Sequence, residues 1–154
     1  MIPNSVRTIL EEHSLTALEF EPGSTPTSEM AASQIGVKVG QIAKSILMRG
    51  KDNVYRMFIL AGDRKISNGK IKRFTGVKHS MTGAEETKEM TGFSPGSVCP
   101  FGVGDIEIYV DLSLREYPVV YPAAGTDASG VPVQYDHLLA ICGGRECDVA
   151  ADRE

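Results

Sequence analysis

The chain lacks the features that would set it apart from ordinary globular proteins. No apolar run approaches the ~20 residues that span a bilayer, and its 154 residues contain no linker, low-complexity stretch or internal repeat. Cysteine is scarce. Cys99, Cys142 and Cys147 are odd in number and form no CxxC, and His13, His79 and His137 are scattered, so no zinc spacing is present. Reduced, mostly structural thiols are expected. The usual catalytic signatures are missing as well: there is no GxSxG elbow, no HExxH and no P-loop. No GxGxxG follows a strand, which argues against a doubly wound nucleotide-binding sheet. The opening stretch MIPNSVRTILEEH carries Arg7, Glu11 and Glu12 where a signal peptide needs apolar residues, so a cytosolic protein is expected.

What is present suits one domain over residues 1–154. Hydrophobic residues make up 42% and charged ones 23%, a composition able to bury roughly 70% of the unfolded surface without staples. A net charge of -4 argues against a general nucleic-acid coat. The charge is unevenly spread. Arg64, Lys65, Lys70, Lys72, Arg73 and Lys78 are 6 of the 16 basic residues and share an acid-free window. Acids collect at Glu85, Glu86 and Glu89, and again at Glu146, Asp148, Asp152 and Glu154. Such a basic stretch is either a solvated helix face or one defined polyanion contact.

Hydrophobic spacing predicts helices over 3–13, from a Thr27 cap to Gly36, over 68–74 up to Gly76, from a Thr82/Glu85 capping box to Gly92, and from an Asp136 cap through Cys142. Strands are expected at 17–20, 41–48, 54–61, 77–81, 105–111, 119–121 and 131–134, with 41–48 and 54–61 forming an antiparallel hairpin across Gly50–Asn53. Two features stand out as chemistry. Within 41–48, Lys44 shares a strand face with Ile42, Ile46 and Met48. A lysine in an apolar row either snorkels to an edge or sits in a pocket, where its ammonium binds an anion or polarises a carbonyl. The loop Thr91–Gly104 has four glycines and two prolines, which free backbone amides to approach a ligand while stiffening the cradle. The small-residue turn around Gly125 is a weaker candidate of the same kind. Cys99 has no histidine near it in sequence to act as base.

The order of these pieces resembles one family, the YbaK/prolyl-tRNA synthetase-associated domain, whose members are single-domain aminoacyl-tRNA editing proteins. Thr27–Met48 looks like its helix and lysine-bearing strand, Leu60–Ser67 like its glycine-aspartate-arginine turn, Thr91–Gly102 like its glycine-rich loop, and Val120–Gly144 like its closing strand, turn, strand and helix. The resemblance implies an α/β fold with a mixed, curved, barrel-like sheet flanked by helices. It also implies a deacylase that hydrolyses the ester of a mischarged tRNA, most often tRNA for proline, and no cofactor. By this match Lys44, Gly96 and Ser97 would be catalytic, and Phe20, Ser45, Gly92, Ser94, Pro95, Val98, Gly125 and Thr126 would bind substrate. Arg64, Lys65, Lys70, Lys72, Arg73 and Lys78 would steer the tRNA. The implied partners are mischarged aminoacyl-tRNA and prolyl-tRNA synthetase, with neither membrane nor DNA among them. The loop departs from the usual adjacent glycines at Gly96-Ser97, and Ala124 and Asp127 stand where cysteine-editing relatives have glycine and a basic residue. Within the resemblance, that pattern favours the branch of uncharacterised or alanine-, serine- or threonine-editing members over the cysteine-editing one. An aminoacyl ester is already activated, so positioning and oxyanion stabilisation by amides around Ser94–Val98 would suffice, with water or a substrate group attacking. The rival readings are a non-catalytic module holding an aminoacyl or nucleotide-like ligand, and a hydrolase using Cys99.

Overall fold

The computed structural model describes residues 1–152; Glu154, counted above among the C-terminal acids, lies outside the described residues. In chain order the elements are α1 (Asn4–Glu12), β1 (Leu18–Glu19), α2 (Ser28–Ile35), β2 (Ile42–Gly50), β3 (Tyr55–Ala61), α3 (Asn68–Thr75), β4 (His79–Met81), α4 (Ala84–Thr91), β5 (Glu107–Asp111), β6 (Tyr121–Pro122), β7 (Ser129–Gly130), α5 (Tyr135–Ile141) and β8 (Arg145–Cys147). Short 3₁₀ turns cover Val39–Gln41 and Leu112–Glu116. The result is the expected mixed α/β architecture. The main sheet runs β4-β2-β3-β5-β8 with β6 beside β2, while β1 and β7 pair separately.

The sheet is organised around β3. Its run Met57–Ala61 is fully buried, as expected of a continuous apolar strand covered on both faces. It pairs antiparallel with β2 and parallel with β5, and β8 then adds parallel to β5. Each large side chain in that row contributes about 1.5–3 kcal/mol on burial, whereas a surface ion pair contributes about 0–1 kcal/mol. Packing therefore anchors the centre of the sheet. The hairpin from β2 to β3 closes through Asn53, whose φ of 64° lies in the left-handed region that asparagine tolerates.

The alternation of β2 divides two packing layers. Ala43 and Leu47 join the larger core with α1, α5 and the 93–103 loop, while Ile46 and Met48 pack with Ile71 of α3 and Ile42 with Ala31 and Ala32 of α2. Two helix starts differ from the sequence expectation. Gly83, not Thr82, is the N-cap of α4; the Thr82 hydroxyl donates to the Leu47 carbonyl at 3.2 Å, fixing the helix to the sheet. Gln134 rather than Asp136 caps α5, and Asp136 sits in its first turn. The strand expected at 131–134 is replaced by β7 at Ser129–Gly130, with a lone bridge between Val120 and Val133.

Candidate functional site

The site begins as a gap in the sheet. Gly62 donates to the Ile42 carbonyl at 2.8 Å and Gly50 to the Val54 carbonyl at 2.9 Å. By antiparallel alternation the even-numbered residues of β2 thus bond β3, and the odd-numbered ones turn their backbone to the opposite edge. On that edge β6 pairs with Ile42 and Ala43, and β4 pairs with Met48, Arg49 and Gly50. Among the described residues, Lys44, Ser45 and Ile46 have no strand partner there. A pocket of about 250 Å³ opens at this place.

Four segments build its walls. Residues Ile42 to Ser45 come from β2, Thr25 to Ser28 with Ala31 and Ile35 from α2 and its lead-in, Gly96 and Val98 from the glycine-rich loop, and Tyr121, Ala123 and Ser129 from the later turn. The lead-in is strapped to that turn. Thr25 donates its amide to the Asp127 carbonyl at 2.6 Å, Gly23 to the Asp127 carboxylate at 3.1 Å, and Phe20 to the Ala128 carbonyl at 2.8 Å. Ser129 in turn donates its amide to the Thr25 hydroxyl at 3.1 Å. Gly96 seats the loop against this strap: its φ is +89°, and a Cβ there would stand 3.1 Å from the Pro26 carbonyl. Thr27 caps α2 by accepting from the Met30 amide at 3.2 Å, and the helix lays Ser28, Ala31 and Ile35 along the pocket from its first residue to its last.

Lys44 is half-buried in this wall. Its Nζ lies 3.5 Å from the Gly62 carbonyl, at the outer limit of a hydrogen bond. Burial holds its pKa below the ordinary lysine value, and Glu29 and Asp63 oppose that by favouring the ammonium. On the opposite face of β2, the Ser45 hydroxyl is the one buried side-chain polar atom without a hydrogen-bond partner among the described residues. The Ser97 amide is spent on the Ser94 carbonyl at 2.9 Å, whereas the Gly96 and Val98 amides bond no described residue. The pocket lining thus brings together Lys44, the Gly96–Val98 stretch with two uncommitted amides, and the first residues of α2, a set able to serve an anionic oxygen.

Of the residues singled out from sequence, Lys44, Ser45, Gly96 and Val98 meet in this pocket. Ser97, Ser94 and Pro95 lie in the same loop outside the lining. Gly92 ends α4 in a left-handed conformation. Phe20 stands behind the strap through its bond to Ala128. Gly125 packs on Phe93 and Pro3, and Thr126 donates to the Ser129 hydroxyl at 2.8 Å, one layer behind the wall. Cys99 is fully buried, and desolvation pushes its thiol up to about 12, which removes the thiolate a nucleophile needs. The basic run is divided. Lys70 is held by Asp148, Asp152 and the Ala150 carbonyl, and Arg64 by the Ala151 carbonyl at 2.8 Å. Lys65, Lys72, Arg73 and Lys78 are exposed. Sequence reasoning missed the walls at Thr25 to Ser28 and at Tyr121, Ala123 and Ser129. A hydroxyl-rich lead-in to a helix N-terminus was the available signal for the first.

Residues 21–141 match the family model described as an aminoacyl-tRNA editing domain. The chain is 42% identical over 114 residues to the uncharacterized protein YwhH of Bacillus subtilis, covering 73% of this chain and 72% of that protein. It is 30% identical over 139 residues to a proline–tRNA ligase of Shouchella clausii, covering 88% of this chain and 23% of the ligase, so it spans about a quarter of that relative. Among solved structures, "a putative trans-editing enzyme for prolyl tRNA synthetase" superposes with a TM-score of 0.88 at 31% identity, over 99% of this chain and 100% of the other. The hypothetical protein APE2540 shares the fold at a TM-score of 0.89 and 22% identity, over 96% of this chain and 100% of the other.

Proposed function

The chain belongs to the aminoacyl-tRNA editing domain family, and from that premise we propose that residues 1–154 act as one trans-acting deacylase that hydrolyses the ester of a mischarged tRNA, with tRNA for proline as the carrier. The observation that carries this reading is the half-buried Lys44 ammonium in a pocket that opens where β2 lacks a strand partner and that the glycine-rich loop also lines. The relatives support the choice of carrier, because the matched segment recurs within proline–tRNA ligases. A cytoplasmic setting and an association with prolyl-tRNA synthetase belong to the same proposal.

In this reading the aminoacyl ester enters the gap between β6 and β4. Lys44 grips a phosphate or ribose oxygen of the terminal adenosine, and Ser45, next to it in β2, backs the wall against which the ester lies. The Gly96 and Val98 amides stand ready for the oxyanion that develops when water or a substrate group attacks the carbonyl. A well-aimed donor of that kind lowers a barrier by about 3–4 kcal/mol. The ester's own reactivity does the rest, and no side-chain nucleophile takes part. The modest volume favours a small aminoacyl side chain by steric exclusion of larger ones.

The test is deacylation of a panel of mischarged tRNAs by wild type and Lys44→Ala. The reading expects at least one ester to be hydrolysed with turnover and the variant to be slower. Equal rates remove Lys44 from the mechanism. Protection of the ester, instead of a shortened lifetime, would make the protein a binding module.

A further inference from the structure

A second pocket, of about 350 Å³, lies at the other end of β2 and is lined by Arg49, Gly50, Lys51, Asn53, Lys78, His79 and Ser80. We propose that it is a phosphodiester-binding subsite for the RNA strand whose acylated end occupies the Lys44–Ser45 gap. The inference rests on the deacylase reading for the identity of the strand.

Three observations carry it. First, no carboxylate lines the pocket, although the protein is acidic as a whole. The nearby acids are already engaged: Asp52 by Arg56 at 3.0 Å, and Glu86 by Arg49 at 3.0 Å. Lys51 and Lys78 form no ion pair with any described residue, and the Lys51 amide bonds the Lys78 carbonyl at 2.9 Å, which holds the two lysines side by side just past the end of β2 and just before β4. Second, the His79 ring is already engaged at both nitrogens, Nε2 lying 2.9 Å from the Arg56 guanidinium and Nδ1 2.9 Å from the Val77 carbonyl. With Arg49 paired to Glu86, the cationic groups left to face a ligand are the two lysines. Third, both pockets lie along one strand. From Ser45 to Gly50 β2 advances ~17 Å at about 3.3 Å per residue. At about 3.4 Å per stacked nucleotide that distance is covered by roughly five nucleotides, and by fewer in an extended strand. A single-stranded acceptor end fits this span. Glu85 and Glu89 of α4, flanking the Glu86 that pairs with Arg49, border Arg49 on another side and disfavour a phosphate chain on that route.

The geometry also accounts for the divided basic run. Lys70 and Arg64, on and before α3, are consumed by the C-terminal segment, whereas Lys78 belongs to the lysine pair facing the second pocket.

The experiment measures binding of uncharged tRNA for proline across a salt series, to wild type, Lys51→Gln, Lys78→Gln and the double variant. Each lost phosphate contact lowers the slope of log K against log salt by about 0.7–0.9 and weakens binding about five- to eightfold at 0.1 M salt. Lys51→Arg keeps the slope. A double variant with the wild-type slope overturns the proposal, as does a wild type that does not bind the tRNA. In the wild-type protein, bound tRNA should shield Lys51 from acetylation while exposed Lys88 on α4 stays reactive; equal reactivity overturns the proposal without any variant. Turnover of a mischarged tRNA is read in parallel. Its absence alongside an intact slope effect would end the deacylase reading and leave this site standing.

Discussion

Replacing Lys44 by methionine shortens the unbranched side chain by one atom and removes its charge. The neighbours on that face are Ile42 at 6% exposure, half-buried Ile46 and Met48 at 1%, so a methionine extends an apolar row. The lysine forfeits little in return. Its one hydrogen bond, to the Gly62 carbonyl, is 3.5 Å long, and its attraction to Glu29 and Asp63 is set against desolvation, the largest influence on its pKa. Because the side chain is only half-buried, solvent screens these terms, and Lys44→Met is expected to leave stability unchanged or raise it by up to about 1 kcal/mol. The sign of the pH dependence follows from the lowered pKa. The unfolded chain binds the Lys44 proton more tightly than the folded one, so wild type recovers stability as pH rises from the folded pKa toward 10.5. The advantage of the variant should therefore be greatest at neutral pH and shrink toward pH 10. Activity moves the other way. Losing a charge-assisted contact of about 1.5–3 kcal/mol in the transition state lowers kcat/KM about 10- to 150-fold. Urea unfolding at pH 7 and pH 10, with single-turnover deacylation of the same samples, checks both halves. A variant less stable by more than about 1 kcal/mol that deacylates at the wild-type rate would refute the reasoning and make Lys44 a structural residue.

Gly62→Ala would place a Cβ 2.6 Å from the Val39 carbonyl and 2.8 Å from the Ser28 Cβ; with a backbone atom in the way, we expect a loss of about 1–3 kcal/mol in urea unfolding. Gly96→Ala imposes a left-handed cost of about 1–2 kcal/mol and a 3.1 Å contact on the Pro26 carbonyl, so deacylation should fall more steeply than stability; full activity would detach the loop from the chemistry. Native protein should resist iodoacetamide at Cys99 at pH 8, since its thiol is pushed up to about 12, and should be labelled there only after unfolding. Fast native labelling of Cys99 that abolishes activity would revive the cysteine reading.

Local signals made much of this molecule readable in advance. The Thr27 cap, the left-handed stops at Gly36, Gly76 and Gly92, and the hairpin of β2 and β3 are written in adjacent residues, and each forms as expected. The placement of Lys44 on a face with Ile42, Ile46 and Met48 followed from strand alternation alone. What was not readable depends on distant partners. β8, with the polar sequence Arg145–Cys147, is a strand because β5 offers it an edge, and Asp111 pins the segment after it by accepting the Val149 amide at 2.7 Å. β7 exists by pairing with β1 across more than a hundred residues, and that pairing draws Thr25 and Ser129 into the pocket wall. Composition likewise could not reveal that Asp148 and Asp152 would occupy Lys70.

The central claim is that the gap beside Lys44 and Ser45 turns esters over, and the direct measurement is the number of aminoacyl esters cleaved per protein molecule with mischarged tRNA for proline in large excess. The account predicts many cleavages per molecule for an ester with a small side chain, falling in Lys44→Met. An ester lifetime that is unchanged or lengthened at every protein concentration would contradict it.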